Sequence, residues 1–387
     1  MAFRVLVVDD SGFFRRRVTE ILQPVREIEV VGTASNGREA IEQAAKLKPD
    51  VITMDYEMPI MDGITALRHI MASNPTPVLM FSSLTQEGAR VTLDALDAGA
   101  VDYLPKNFED ISRDNSKLQD ILKRRIIEVA RSKGKISGSS TSSPATTAPK
   151  PSPSSSAREA TASAPREAPK RKEFTVERQE LDRPSGRTKE AAPSGQKVKP
   201  KSYSCVLIGT STGGPIALQK VLTKLPANFP APVVLVQHMP ASFTPAFAER
   251  LDKVCQIHVR EAKDGDTLER GVALLAPGGV QMMLDGRGKV RILPGDSRLN
   301  YKPCVDVTFG SAAKLMPGRT LGIILTGMGA DGKEGCRMMK ETGSAIWSQD
   351  EMSSVIYGMP MAVAKAGLSD YIMNLDDIGD NLVAGVI

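Results

Sequence analysis

Residues 1–132 alternate short apolar runs with stretches in which apolar residues recur at helical spacing. The apolar runs predict buried strands, and the three-to-four-residue spacing predicts amphipathic helices. The predicted strands are Arg4–Val8, Glu29–Ala34, Val51–Met54, Val78–Ser82 and Val101–Leu104. The predicted helices are Phe14–Leu22, Arg38–Lys46, Gly63–Met71, Glu87–Ala98 and Leu118–Val129. This alternation indicates an α/β domain with five parallel strands covered by helices on both faces.

Residues 201–387 again contain fully apolar, β-branched runs, which are typical of buried parallel strands. The runs are Cys205–Ile208, Val233–Val236 and Leu321–Leu325, and Ile216–Leu222 shows helical spacing after a glycine-rich turn. Between Leu268 and Leu293, short apolar stretches separated by Gly and Pro turns indicate antiparallel hairpins. The pattern predicts a doubly wound, mostly parallel α/β domain with an antiparallel hairpin appendage.

Residues 133–200 have no apolar periodicity and are rich in Ser, Pro and Lys. Such a composition buries too little apolar surface to offset the entropy of ordering, so we expect a flexible linker. The segment carries 14 Lys and Arg against 7 Asp and Glu, a net charge of +7, whereas the whole chain has +5. A basic segment can bind nucleic acid. Because no helix-turn-helix pattern or set of interleaved aromatics accompanies it, we expect no nucleic-acid partner.

Length and composition restrict the class of protein further. A chain of 387 residues fits two or three domains. No apolar run reaches the roughly 18 residues that span a bilayer, and the N-terminus lacks a secretory signal, so we expect no membrane insertion. The four cysteines are scattered singly, which fits a reducing cytoplasm and disfavours a structural zinc site.

Acidic residues follow two of the predicted N-terminal strands. Asp9 and Asp10 follow the first strand and Asp55 follows the third, while Ser82 and Lys106 stand at the ends of the fourth and fifth. In a parallel sheet these ends share one edge, where converging carboxylates favour a hard cation such as Mg²⁺. Individually the acids would serve as helix caps or turn residues. Together the five groups predict phosphoryl transfer onto an aspartate.

Residues 1–130 resemble the receiver domain of bacterial response regulators. The matching motifs are Val7-Val8-Asp9-Asp10-Ser11, Met54-Asp55-Tyr56-Glu57-Met58-Pro59 with Asp62-Gly63, Phe81-Ser82-Ser83 and Tyr103-Leu104-Pro105-Lys106. The resemblance implies a flavodoxin-like fold in which Ser82 and Tyr103 register a phosphate and Lys106 pairs with it.

The same resemblance implies roles for four acidic residues. Asp55 would accept a phosphoryl group from a histidine kinase. Asp10 and Asp55 would hold Mg²⁺, Asp9 would place a metal-bound water, and Glu57 would contribute its backbone carbonyl.

A candidate nucleophile follows the first strand of the C-terminal region. Gly209-Thr210-Ser211-Thr212-Gly213 fits G-x-S-x-G, in which a sharp strand-to-helix turn exposes a serine hydroxyl. A dinucleotide-binding turn is disfavoured because it needs a glycine at position 211. His238 follows the next buried strand and Asp331 follows a third. A strand-end histidine is often structural and an Asp-Gly pair often forms a turn, but together the three residues predict a hydrolytic triad.

Residues 203–386 resemble the catalytic domain of the chemotaxis protein-glutamate methylesterases, also called protein-glutamine glutaminases. The matching segments are Ile208–Pro215, Gln237–Pro240, Ala276–Gly278, Val305–Val307, Leu325–Gly332 and Gly358–Pro360. The family's nucleophile, base and acid fall on the three predicted residues. The resemblance also implies that the Met328 N–H stabilises the oxyanion and that Thr212 supports the site. Cys304 stands where a serine is more usual, and we expect it not to touch the triad.

We therefore expect a receiver domain (residues 1–132), a linker (133–200) and a methylesterase domain (201–387). The enzyme would hydrolyse glutamyl methyl esters and deamidate glutamines on chemoreceptors, under control of a histidine kinase, with Mg²⁺ in the receiver and no cofactor in the catalytic domain. Three alternatives stay open: a regulator with a non-enzymatic second domain, a DNA-binding regulator, and a hydrolase of small esters or amides.

Overall fold

Five parallel strands form the N-terminal sheet. The computed structural model describes residues 2–106, 116–133, 198–296 and 298–387, so 134–197, most of the expected linker, lie outside the described residues. The strands are β1 (Phe3–Val8), β2 (Ile28–Ala34), β3 (Val51–Asp55), β4 (Val78–Ser82) and β5 (Asp102–Pro105). They pair in the order β2-β1-β3-β4-β5.

Helices cover both faces of this sheet. They are α1 (Gly12–Leu22), α2 (Gly37–Leu47), α3 (Gly63–Ser73), α4 (Gln86–Asp97) and α5 (Ser116–Arg131). Alternate residues of β1 point to opposite faces: Val5 and Val7 join the core beneath α1 and α5, whereas Leu6 and Val8 join the core beneath α2, α3 and α4. The predicted parallel, two-sided domain is confirmed.

The C-terminal sheet has seven parallel strands. They are β6 (Cys205–Thr210), β7 (Val233–Gln237), β8 (His258–Glu261), β9 (Val272–Leu275), β12 (Thr320–Ile324), β13 (Ala345–Gln349) and β14 (Tyr371–Met373). Their order is β14-β13-β12-β6-β7-β9-β8. The antiparallel hairpin pairs β10 (Val280–Leu284) with β11 (Val290–Pro294). The helices are α6 (Gly214–Leu222), α7 (Thr244–Val254), α8 (Val305–Leu315), α9 (Lys333–Glu341), α10 (Met359–Lys365) and α11 (Leu375–Gly385).

The predicted hairpin is confirmed for β10 and β11, but the prediction was wrong for Val272–Leu275. That run is β9, which pairs in parallel with β7 and β8 inside the main sheet. Leu274 and Leu275 are buried on both of its faces. A four-residue apolar run does not distinguish parallel from antiparallel pairing. The prediction therefore relied on the Gly and Pro turns nearby, which are typical of hairpins, although this strand pairs in parallel with β7 and β8.

The chain reverses direction across the sheet beside β6. From β6 it proceeds to β7 on one side, and it later returns to β12 on the other side. Ligands of open α/β sheets bind at such a switch point, beyond the carboxyl ends of the strands. Ser211, His238 and Asp331 follow β6, β7 and β12, so the fold carries all three to this edge.

Both sheets belong to one compact unit, in which α4 packs against α6 and α7. None of the helices in the described part of the chain has the length and apolar character needed to cross a membrane.

Candidate functional site

Ser211 and His238 occupy equivalent positions beyond neighbouring strands. Thr210 is in register with Gln237, so Ser211 and His238 are the next positions across β6 and β7. The His238 N–H donates to the Thr210 carbonyl at 3.1 Å, which continues the pairing beyond the strands. Gln237 holds the pair together because its Nε2 donates to the carbonyls of both Ser211 (3.0 Å) and His238 (3.1 Å).

The imidazole of His238 is bound by Asp331. Its Nε2 lies 2.7 Å from Asp331 Oδ2, and both side chains are almost completely buried. Among the described residues, His238 Nδ1 has no hydrogen-bond partner. An ionised Asp331 accepts a hydrogen bond from the Nε2–H, which leaves Nδ1, with its lone pair, as the basic atom of the ring.

Asp331 is held ionised by His238 and by the first residues of helix α8. Its carboxylate accepts hydrogen bonds from the backbone N–H groups of Val305 (2.7 Å) and Asp306 (3.0 Å), the first residues of α8. Burial acts to raise the pKa of Asp331, but the His238 contact and these N–H groups outweigh burial and lower it. The partial positive charge at the N-terminus of α8 also favours the ionised carboxylate.

Cys304 contacts the predicted acid, so the expectation that it stays clear of the triad was wrong. Its Sγ lies 3.1 Å from Asp331 Oδ1. Burial, followed by the charge of Asp331, raises the pKa of the thiol to about 12. The thiol is therefore protonated and acts as a hydrogen-bond donor. The contact arises because α8 begins against a loop 26 residues further along the chain, a tertiary packing that the sequence does not display.

The loop after β12 lies directly against Ser211. A methyl group placed on Gly327 would lie 2.8 Å from Ser211 Cβ, so only glycine permits this approach. The next residue is Met328, whose N–H has no hydrogen-bond partner in the described part of the chain. Gly213, at φ +76°, forms the turn from Ser211 into α6. The surroundings of Ser211 are thus glycine-lined and offer an unpaired backbone donor.

Three carboxylates converge at the edge of the N-terminal sheet. Ligating oxygens of Asp9, Asp10 and Asp55 lie within 4.8 Å of one another. Lys106 Nζ bridges two of them, at 2.8 Å from Asp9 Oδ2 and 2.6 Å from Asp55 Oδ2. A cavity of about 290 Å³ opens beside Asp55 and Lys106.

The charge of this acidic cluster is only partly compensated. Burial, opposed by Lys106, raises the pKa of Asp55 to about 6, and burial also raises the pKa of Asp9. Closely spaced carboxylates, two of them buried with raised pKa values, fit a divalent cation of the Mg²⁺ type, which would stabilise the ionised forms of Asp9 and Asp55.

The other residues predicted near the phosphate lie in two places. Ser82 and Glu57 line the cavity beside Asp55, and the Ser82 hydroxyl hydrogen-bonds with Thr92 on α4. Tyr103 is not among the residues that line the cavity. Its ring stacks on Phe243 of the C-terminal region, with centroids 4.7 Å apart.

Side chains of the N-terminal domain also reach the Ser211 edge. Thr212 Oγ1 donates to Asp102 Oδ2 at 2.7 Å. On the adjoining surface, Arg250 of α7 pairs with Asp94 (2.7 Å) and Asp97 of α4. In this arrangement only 4% of the Ser211 surface is exposed to solvent.

Sequence reasoning missed four contacts of this site: Gln237 to Ser211, Cys304 to Asp331, Asp102 to Thr212 and Tyr301 to His238. Of these contacts, only that of Gln237 had a signal in the local sequence, because Gln237 directly precedes His238 in the matching segment Gln237–Pro240. The remaining three pairs are joined by packing between distant segments.

The comparisons with known proteins agree with this architecture. Residues 5–114 match the response regulator receiver domain family, and residues 206–382 match the CheB methylesterase family. The chain is 61% identical over 392 residues to the protein-glutamate methylesterase/protein-glutamine glutaminase of group 1 operon of Pseudomonas putida, with 100% of both chains covered. It is 63% identical to protein-glutamate methylesterase/protein-glutamine glutaminase 1 of Pseudomonas aeruginosa, with 99% of both covered.

Two solved structures cover the two domains separately. The CheB methylesterase catalytic domain of Thermotoga maritima is 39% identical and covers 47% of this chain and 98% of its own, with a TM-score of 0.46. The response regulator domain of CheB from the same organism is 46% identical and covers 34% of this chain and 98% of its own, with a TM-score of 0.32.

Proposed function

Because the chain belongs to the protein-glutamate methylesterase/protein-glutamine glutaminase family, we propose that it hydrolyses glutamyl methyl esters and deamidates glutamines on the cytoplasmic helices of chemoreceptors. One observation carries the proposal. His238 binds Asp331 through Nε2, its Nδ1 has no hydrogen-bond partner among the described residues, and His238 lies beside Ser211 where the neighbouring strands β6 and β7 end. This arrangement supports the assignment of Ser211 as nucleophile, His238 as base and Asp331 as acid.

Each step of ester hydrolysis can be assigned to a group. Ser211 Oγ attacks the γ-carbonyl carbon while His238 Nδ1 takes the hydroxyl proton, and Asp331 stabilises the resulting imidazolium. The oxyanion accepts from the Met328 N–H, a type of contact worth about 3–4 kcal/mol. When the tetrahedral intermediate collapses, methoxide leaves with the proton from His238 as methanol. Water then adds to the acyl-Ser211, assisted by His238, and releases glutamate.

Glutamine follows the same path with a different leaving group. The protonated His238 donates to the departing nitrogen, and ammonia is released in place of methanol. Both substrates pass through the same acyl-Ser211, so both activities depend on the same three residues.

The substrate class is tested by comparing two esters. We expect methanol release from methylated receptor membranes and a far lower kcat/KM for a small glutamyl methyl ester without a helix. Equal kcat/KM for the two substrates would contradict a receptor substrate and favour a general small-ester hydrolase.

We further propose that Asp55 is phosphorylated by a chemotaxis histidine kinase. The carboxylate of Asp55 attacks the phosphorus of the phosphohistidine, and the phosphoryl group is transferred as its bond to the imidazole breaks. Asp10, Asp55 and the Glu57 carbonyl would hold Mg²⁺, with Asp9 placing a metal-bound water. When bound, the cation supplies charge neutralisation for the transferred group. Lys106 pairs with a phosphate oxygen, and Ser82 hydrogen-bonds to another.

The two sites are coupled in this proposal through the contacts of α4 and β5. Ser211 is buried when Asp102 is hydrogen-bonded to Thr212 and Arg250 is paired with α4. A receptor helix therefore reaches Ser211 only when these contacts open. Phosphorylation of Asp55 would weaken them because Ser82, at the phosphate, is bonded to Thr92 of α4. Asp55→Asn tests this idea: its methanol release should not respond to a phosphodonor, and a response equal to that of the wild type would contradict the coupling.

A further inference from the structure

The imidazole of His238 is in contact with a residue outside the triad. The ring of Tyr301 stacks on it with centroids 4.1 Å apart and an interplanar angle of 6°. The hydrogen bond to Asp331 fixes one ring atom of His238 but leaves rotation of the ring plane about that bond less restricted. A parallel aromatic ring against the imidazole face limits this rotation.

Tyr301 is itself held firmly by its backbone. Gln281, which is buried, donates from Nε2 to the Tyr301 carbonyl at 2.7 Å and accepts from the Cys304 N–H at 2.9 Å. The Gly279 N–H donates to the carbonyl of Lys302, the residue after Tyr301, at 3.0 Å. The hairpin that contains β10 thus anchors the backbone of Tyr301 and of the residues that follow it.

The far end of the Tyr301 ring lies against the loop that carries the predicted oxyanion donor. A methyl group placed on Gly329 would lie 2.8 Å from the Tyr301 hydroxyl oxygen. Burial raises the pKa of the phenol, so Tyr301 stays neutral at physiological pH. The ring therefore packs between the imidazole and the residue after Met328.

We propose that Tyr301 is a positioning residue that fixes the plane of the His238 imidazole, so that Nδ1 faces Ser211 through the acyl-transfer cycle. This inference rests on the proposed function. A displacement of about 1 Å in a reacting group can reduce the rate about 100-fold, so a ring that turns freely should reduce kcat more than it changes KM.

Replacement of Tyr301 by Phe and by Leu distinguishes the contribution of the aromatic ring from that of the hydroxyl group. With methylated receptor membranes and a phosphodonor present throughout, Tyr301→Phe should keep kcat within about twofold of wild type. Tyr301→Leu should lose about 10- to 100-fold in kcat with KM little changed. Tyr371→Leu is the matched control, because Tyr371 is also partly buried and packs edge-on against Trp347, on strands away from His238. It should retain the wild-type kcat.

A second readout does not depend on activity. The chain has three histidines, so the ring C–H signals of His238 can be resolved in a ¹³C-histidine-labelled full-length protein. The stacked phenol should shift them upfield; the shift should persist in Tyr301→Phe and disappear in Tyr301→Leu. Loss of the shift with an unchanged kcat would overturn the positioning role, and so would equal kcat losses in the Phe and Leu variants. If the wild type releases no methanol, the proposed function fails. If the His238 signals have the same position in Tyr301→Leu as in the wild type, the stacking contact itself is overturned, whatever the activity.

Discussion

Thr212, the residue after the predicted nucleophile, donates its hydroxyl to Asp102 of the receiver domain at 2.7 Å. Asp102 also pairs with Arg125 of α5, so one buried carboxylate connects two receiver elements to the Ser211 turn. The Ser211 turn is therefore joined to the receiver domain by a direct hydrogen bond.

Replacement of Asp102 by Ala should raise basal methanol release and reduce its stimulation by a phosphodonor. Among the described residues, Asp102 is the acceptor that the receiver domain offers to the Thr212 hydroxyl, so the variant removes a charge-assisted hydrogen bond from the closed arrangement. Asp120→Ala is the control, since Asp120 lies on the exposed surface of α5. Basal activity that stays at the wild-type level would contradict the role of this contact.

Arg250→Ala should also raise basal activity, but by less. Arg250 joins α7 to Asp94 and Asp97 on α4, and partly exposed ion pairs contribute about 0–1 kcal/mol each. Loss of one such pair shifts the closed equilibrium about fivefold or less, and loss of both shifts it about 30-fold or less. The increase should shrink as the salt concentration rises, because salt screens the pairs in the wild type too. An increase that is independent of salt would argue against an electrostatic contribution.

Asp55→Asn should stabilise the protein at pH 8 in buffer without divalent cations. Burial raises the folded-state pKa of Asp55 from 3.8 to about 6, so the neutral form is favoured by folding. That stabilisation is complete below pH 3.8 and is lost as the pH rises through about 6. At pH 8 the ionised carboxyl costs up to about 3 kcal/mol, which Asn removes.

Denaturant unfolding at pH 5 and pH 8 measures this effect. The gain from Asp55→Asn should be smaller at pH 5. Asp50→Asn is the control of opposite sign: although burial opposes it, the Arg4 N–H and Lys133 lower the pKa of Asp50, so its loss should destabilise the protein at pH 8. A destabilised Asp55→Asn variant at pH 8 would contradict the assignment.

Cys304→Val should lower kcat, whereas Cys304→Ser should retain it. Valine removes the donor to Asp331 Oδ1 while filling a similar volume, and a hydrogen bond of this type contributes about 1 kcal/mol, or about fivefold in rate. Cys336→Val is a matched control, since Cys336 is also buried but, within the part of the chain that the structure describes, makes no hydrogen bond to Asp331. Equal activity of the Val and Ser variants at position 304 would show that the thiol does not support Asp331.

The receiver fold was predictable because its strands are buried on both faces and its helices begin at recognisable caps. Ser11 and Asn36 accept hydrogen bonds from the N–H groups of Phe14 and Glu39, as typical N-cap residues do. In the C-terminal domain, the three strands that carry the site were predicted from the same kind of apolar run. The strand that contains Trp347 was not predicted, because its five residues mix apolar and polar types.

The candidate site was predictable where its residues end strands and unpredictable where they touch across the fold. Strand order brings Ser211, His238 and Asp331 to one edge once the sheet is assumed to be parallel. Tyr301 and Cys304 reach the site from the loop before α8, and Asp102 reaches it from the other domain. These contacts depend on tertiary packing, which no local pattern encodes.

Methanol release from methylated receptor membranes by Ser211→Ala, compared with Ser204→Ala, tests the central claim most directly. Ser204 lies at the opposite end of β6 and is bonded through its backbone to Arg319, so its replacement should leave the rate unchanged. Ser211→Ala should reduce release by several orders of magnitude, because no acyl-enzyme can form. A Ser211→Ala variant that releases methanol at the wild-type rate would contradict the account.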